Sequence, residues 1–126
     1  SIQAKQQGIS WEAYFDNGRE HSGVDAVDWA EKGQALGAGE ILLTSVDREG
    51  TAKGFDLPLI KTICDRVSIP VIASGGMGSP SDLVDAVKIG TADAIAMAHV
   101  LHYDVCSLRE LRDTCQAQDI PTRVRH

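Results

Sequence analysis

Positive charge is scarce in this chain, with 12 Lys and Arg against 18 Asp and Glu, and the net charge of −6 argues against a broad surface for nucleic acid or anionic membrane. Any phosphate it holds has to sit in a local pocket. Cysteine is also scarce. Cys64, Cys106 and Cys115 are odd in number, lie on helical stretches and make no CxxC pair, so neither a disulfide framework nor a zinc site is indicated and free thiols are expected. No apolar run approaches the roughly 20 residues that span a bilayer. Ser1 to Gly8 carry glutamines and a lysine where a signal peptide needs a hydrophobic stretch, which makes a cytoplasmic setting the expectation. Aromatic residues amount to 5%, and Trp11, Tyr14 and Trp29 are read as packing residues. No metal or cofactor is expected.

What the chain does have is alternation. Its 126 residues, 43% of them hydrophobic, suffice for one domain with a core. Glu40–Thr44 (EILLT), Pro70–Ala73 (PVIA) and Ala92–Ala98 (ADAIAMA) read as buried parallel strands, each preceded by an amphipathic helical stretch. A fourth strand is expected at Ser1–Ala4, followed by a hairpin built from Trp11–Phe15 and the Asp16-Asn17-Gly18 turn. Helix starts are marked by a hydroxyl three residues before a carboxylate: Ser22 with Asp25, Ser79 with Asp82, and Ser107 with Glu110. Pro80 fits the first position of its helix. Asp56 caps another helix, in which Ile60, Ile63, Cys64 and Val67 share one face. Gly37 and Gly90 end two helices.

Four parallel strands joined by helices make either a small open sheet with helices on both faces or half of a closed (βα)8 barrel with helices on one side. A half-barrel leaves open strand edges and an uncovered inner face, which another copy or another chain has to cover.

In either architecture, functional groups gather where strands end and helices begin. Ala73-Ser74-Gly75-Gly76-Met77-Gly78 is the strongest such segment. Its glycines let the backbone approach an anion and Ser74 adds a hydroxyl, so phosphate is the expected ligand, although a tight turn with no ligand also uses glycine. Thr44 to Thr51 forms a second segment, in which Asp47 and Glu49 are acids able to exchange protons with a ligand or fix its hydroxyls, and Gly50 and Gly54 permit loop movement. An exposed, solvated loop is the alternative. Ala98, His99 and His102 end the last strand, where a histidine can donate to phosphate or serve structure alone. Gln3 faces whatever the loops face, but an amide cannot shuttle a proton near neutral pH. Lys5 pairs with a phosphate, pairs with an acid, or lies on the surface. Glu40, at the opposite end of its strand from Thr44, lies at the floor of a barrel.

The strings SWEAYFDNGREHSG, GAGEILLTSVDREGT, GFD, IPVIASGGMGSP and ADAIAMAHVLHY, in that order, resemble the C-terminal half of the cyclase subunit of imidazole glycerol phosphate synthase, a histidine-biosynthesis enzyme family. The resemblance implies a (βα)8 barrel in which this chain supplies strand–helix units five to eight. It further implies a glutaminase partner that delivers ammonia, and cyclisation of a bisphosphate-bearing ribonucleotide to imidazole glycerol phosphate. Phosphate contacts are carried over to Thr44, Ser74, Gly75, Gly76, Ala98 and His99, although the family usually has serine where this chain has His99. Glu49 falls where some members carry aspartate, Asp47 keeps its acid, and Glu40 matches one of a ring of charges at the ammonia entrance. The family's acid–base aspartates sit on strands one and five. The 126 residues do not include the first, and Gln3 stands at the second, so weak or no activity is expected from this chain alone.

Three functions follow as expectations. The chain is the phosphate-binding half of a cyclase, acting with an N-terminal half-barrel and a glutaminase. Alternatively it is a non-catalytic, phosphate-binding half-barrel that self-associates as a homo-oligomer, or a cyclase paralogue that feeds ammonia to another amidotransfer.

Overall fold

The computed structural model describes residues 1–15, 20–97 and 106–122. Ten elements are described in chain order. They are β1 (Ile2–Gln7), β2 (Ser10–Phe15), β3 (Glu20–Asp25), α1 (Ala26–Ala35), β4 (Ile41–Ser45), α2 (Leu57–Arg66), β5 (Val71–Ser74), α3 (Pro80–Lys88), β6 (Ala94–Ile95) and α4 (Leu108–Ala117). The six strands form one sheet in the order β3-β2-β1-β4-β5-β6. Four of them, β1, β4, β5 and β6, are parallel, and β2 and β3 are joined antiparallel on the β1 side. This is an α/β chain with a mainly parallel sheet, the architecture of a partial (βα)8 barrel.

Burial alternates along the central strands and shows which side the helices cover. Ile2, Ala4, Ile41, Leu43, Val71 and Ala73 are buried in one core with Val27 and Ala30 of α1, Leu59, Ile60 and Ile63 of α2, and Leu83 and Ala86 of α3. The intervening residues, Gln3, Thr44, Ile72 and Ser74, are only half-buried, and Leu42, on a central strand, is 36% exposed against 1% for its neighbour Leu43. Side chains point to opposite faces at successive strand positions, so the helices cover one face of the sheet and leave the other open.

The helix starts show how local chemistry places these elements. Asp56 takes the Leu59 amide at 3.1 Å, and Ser107 takes that of Glu110 at 3.1 Å. Pro80 opens α3, and the Asp82 carboxylate takes the amides of Gly78 and Ser79 at 2.9 and 3.0 Å. Ser22 departs from expectation. It lies within β3, where its hydroxyl donates to the Ala13 carbonyl, and Asp25 caps α1 instead, accepting from Val27 and Asp28. Strand β3 runs straight into the helix, so its last residue, Asp25, is the one positioned to cap.

Three strands also differ in extent. Strand β1 reaches Gln7 instead of ending at Ala4, because β2 pairs back onto it through Gln7 and Ser10, with Gly8 turning the chain at φ 61°. The hairpin is therefore the end of a three-stranded meander; its Asp16-Asn17-Gly18 turn lies outside the described residues. Strand β6 is confined to Ala94–Ile95 where Ala92–Ala98 was expected. Ala92 is buried and donates to Ala86, completing the exit from α3, and the Asp93 side chain takes the Val71 amide that a longer strand would have taken. Cys106 likewise precedes α4 and is not part of a helix.

Candidate functional site

Parallel pairing sets Gln3 beside Thr44 and Thr44 beside Ser74, so these three side chains form one polar row across the open face near the C-terminal ends of β1, β4 and β5. With Val46 and Glu49 they line an open hollow of about 520 Å³. Four of the residues read as site candidates thus meet in one place, and Val46, which the sequence did not single out, joins them.

The turn after β5 follows directly on Ser74. Gly75 and Gly76 have φ values of 91° and 113°, a region that side chains other than glycine's rarely occupy. Space is equally restrictive. A Cβ on Gly75 would lie 2.8 Å from the Ser45 carbonyl and 3.0 Å from Glu49 Oε2, one on Gly76 would run into the Gly54 carbonyl, and one on Gly78 into that of Ala52. Gly54 in turn donates its amide to the Gly76 carbonyl at 2.7 Å. Gly54, expected to permit loop movement, is instead fixed against the turn. The glycines therefore serve loop-on-loop packing, which accounts for much of the glycine content that pointed to an anion.

Anion chemistry is still available there. Asp82 occupies the amides of Gly78 and Ser79, but no acceptor among the described residues takes those of Gly75, Gly76 and Met77. These amides adjoin Ser74, whose hydroxyl can donate beside them.

The acids divide. Glu49 lines the hollow, whereas Asp47 Oδ2 accepts the Gln6 amide at 2.7 Å and ties its loop to β1. Lys5 does not line the hollow; its ammonium lies 5.6 Å from the centre of the Tyr14 ring. Gln3 Oε1 is buried and has no hydrogen-bond partner among the described residues, an arrangement that costs on the order of 1–3 kcal/mol. Glu40 is exposed just before β4, at the opposite end of the sheet. Ala98, His99 and His102 lie outside the described residues.

The free thiols take no part in this row. Cys106 and Cys115 are buried and Cys64 half-buried, and burial pushes all three above the ordinary thiol pKa, which keeps them protonated and poor as nucleophiles. A more apolar groove lies between α3, β6 and α4, where Leu83, Val87, Leu111 and Cys115 face one another. Asp93, Arg112 and Thr122 also line it.

Comparison with known proteins bears on this geometry. A family model described as "Histidine biosynthesis protein" matches residues 1–107. The chain is 48% identical over all 126 residues to the imidazole glycerol phosphate synthase subunit HisF of Thermococcus onnurineus, covering 50% of that protein. It is 48% identical over 124 residues to the protein of the same name from Pyrococcus furiosus, where the match covers 98% of this chain and 49% of the relative. With the Lactococcus lactis protein it shares 44% over 121 residues, 96% of this chain and 47% of the relative. The chain spans about half the length of the curated relatives it matches. Among the described residues no helix is long and apolar enough to cross a membrane.

Proposed function

Since this chain belongs to the histidine biosynthesis protein family, we propose that it supplies strand–helix units five to eight of a cyclase barrel related to imidazole glycerol phosphate synthase, and that its role there is to hold a phosphate of the substrate. The observation that carries this reading is that the amides of Gly75, Gly76 and Met77 have no acceptor among the described residues, directly after Ser74, whose side chain lines the hollow at the C-terminal end of the parallel strands. Thr44 extends the donor row, and Glu49 faces the same hollow as an acceptor for substrate hydroxyls or N–H groups. Ala98 and His99 are further proposed contacts on the ground of the family resemblance, Lys5 a cation that can leave Tyr14 for the ligand, and Glu40 a floor charge on the ammonia route. Asp47 in this reading holds the loop and transfers no proton.

Catalysis is assigned to the assembled barrel. Gln3 occupies the strand position at which the family resemblance expects an aspartate, and an amide does not ionise near neutral pH. The 126 residues by themselves therefore bind phosphate but turn substrate over weakly or not at all. Their open face is to be covered by an N-terminal half-barrel, or by a second copy when none is present, and a glutaminase supplies ammonia.

Isothermal titration with inorganic phosphate tests the reading. Saturable binding is expected, weakened about 10- to 100-fold in Ser74→Ala, the loss of one hydrogen bond to a charged group. No saturable binding overturns it. Ammonia-dependent cyclisation is expected only after an N-terminal half is added; turnover without it overturns the assignment of catalysis to the assembly.

A further inference from the structure

The β4–α2 loop, residues 46–55, is held at both ends by the β1–β2 ribbon. At its start, the Val46 amide donates to the Ala4 carbonyl at 2.8 Å, and Asp47 Oδ2 takes the Gln6 amide. Just past its end, Asp56 Oδ2 takes the indole N–H of Trp11 at 2.9 Å. Asp56 is 7% exposed and uses its other oxygen to cap α2. Each carboxylate oxygen thus has one fixed assignment, and a buried carboxylate with both oxygens engaged holds its geometry tightly. Two residues before Asp56, Gly54 donates to Gly76 and leaves no room for a Cβ there.

We propose that the Trp11–Asp56 hydrogen bond is a brace that sets the phosphate turn, making Trp11 and Asp56 positioning residues of a site that neither touches. The brace runs from Trp11 through Asp56 and Gly54 to Gly76. Trp11 lies on the opposite face of β2 from Tyr14, which pairs with Gln3 on the hollow side, so any effect of Trp11 on an anion at Gly75 and Gly76 is transmitted through the loop. The hairpin, which a minimal barrel unit does not need, thereby acquires a task. This inference rests on the reading of the glycine turn as an anion seat, and the experiment separates the two.

The chain, Trp11→Phe, Asp56→Asn and the double variant are titrated with inorganic phosphate, and amide hydrogen exchange is followed at residues 46–55 and 75–78. Asn at 56 can still cap Leu59 with its carbonyl but turns an amide N–H toward the indole, so it removes the brace while keeping the helix start. Each single variant is expected to bind phosphate about tenfold more weakly and to exchange faster in both segments, with the double variant no worse than either single one. In the parent, the Trp11 indole N–H resonance is expected to move on phosphate addition while that of Trp29 stays. Unchanged affinity in Trp11→Phe and Asp56→Asn, or an unmoved Trp11 resonance in a parent that binds phosphate, overturns the brace. A parent that binds no phosphate overturns the anion seat instead, and in that case unchanged exchange at 75–78 in both single variants also overturns the brace.

Discussion

Gly78→Ala isolates the packing role of the glycine turn from its backbone conformation. Gly78 is not held in the left-handed region, so alanine incurs no conformational strain there, and the shorter list of unfolded conformations should by itself stabilise the fold by about 0.4–1 kcal/mol. Against this stands the Ala52 carbonyl, which a Cβ would overlap. Relief requires the 46–55 loop to move away, and forcing a methyl into a filled space costs about 1–3 kcal/mol. The same movement breaks the hydrogen bond from Gly54 to Gly76, worth a further ~0.5–1.5 kcal/mol. The clash wins, and net destabilisation of about 1–3 kcal/mol is expected. For a chain of this size each kcal/mol lowers Tm by roughly 3–6 °C. Gly33→Ala is the control, since Gly33 sits in α1 with nothing within 4 Å of a Cβ and should gain about 0.5–1 kcal/mol. Urea unfolding of both variants measures the contrast. Equal or improved stability in Gly78→Ala refutes the close approach of the two loops, and with it the packing account of these glycines.

Thr91 holds φ 63°, a conformation costly for a β-branched side chain. Thr91→Gly should raise the urea midpoint by the equivalent of about 1 kcal/mol; a lowered midpoint counts against the strain. The thiols set an alkaline limit. Burial raises all three above the ordinary value of 9.0, so the folded state holds those protons more tightly than the unfolded one. The stability this contributes is fully present below the ordinary thiol pKa and is lost as pH rises through the higher folded values. Unfolding free energy should therefore fall as pH rises past the ordinary thiol value of 9.0, and replacing Cys64, Cys106 and Cys115 together by alanine should flatten that slope. An unchanged slope refutes the assignment.

The fold was legible because its signals are local. Asp56, Pro80, Asp82 and Ser107 announce helix starts in the chain itself, and the apolar runs at Glu40–Thr44 and Pro70–Ala73 predict β4 and β5 to within one residue. Two expectations differ where a contact outside the segment itself decides. Ser22 has the spacing of a cap, but the ladder with Ala13 claims its hydroxyl. Ala92 looks like strand, but Ala86 claims its amide. The site shows the same division. Strand-end placement brought Gln3, Thr44, Ser74 and Glu49 together, because register follows once the strands are known. What no local pattern reveals is what Asp47, Lys5 and Trp11 face: Gln6, Tyr14 and Asp56, the last 45 residues away.

The two faces of β4 and β5 carry the strongest argument about what this chain belongs in. A sheet meant to meet water on one side alternates apolar with polar residues, and antiparallel sheets commonly do so. Strand β4 reads Ile41-Leu42-Leu43 and β5 reads Val71-Ile72-Ala73, apolar on both faces, although the chain's own helices bury only Ile41, Leu43, Val71 and Ala73. Toward the strand ends the open face turns polar at Thr44 and Ser74. An apolar middle below a polar rim is the division of labour inside a barrel, where packed side chains fill the centre and the chemistry sits at the top. Full cover for Leu42 would remove about a third of a leucine's surface from water, on the order of 1 kcal/mol, and the neighbouring Ile72 adds to it. That apolar row gives a covering half a reason to bind these strands that is independent of any ligand, so association and phosphate binding should respond to different substitutions.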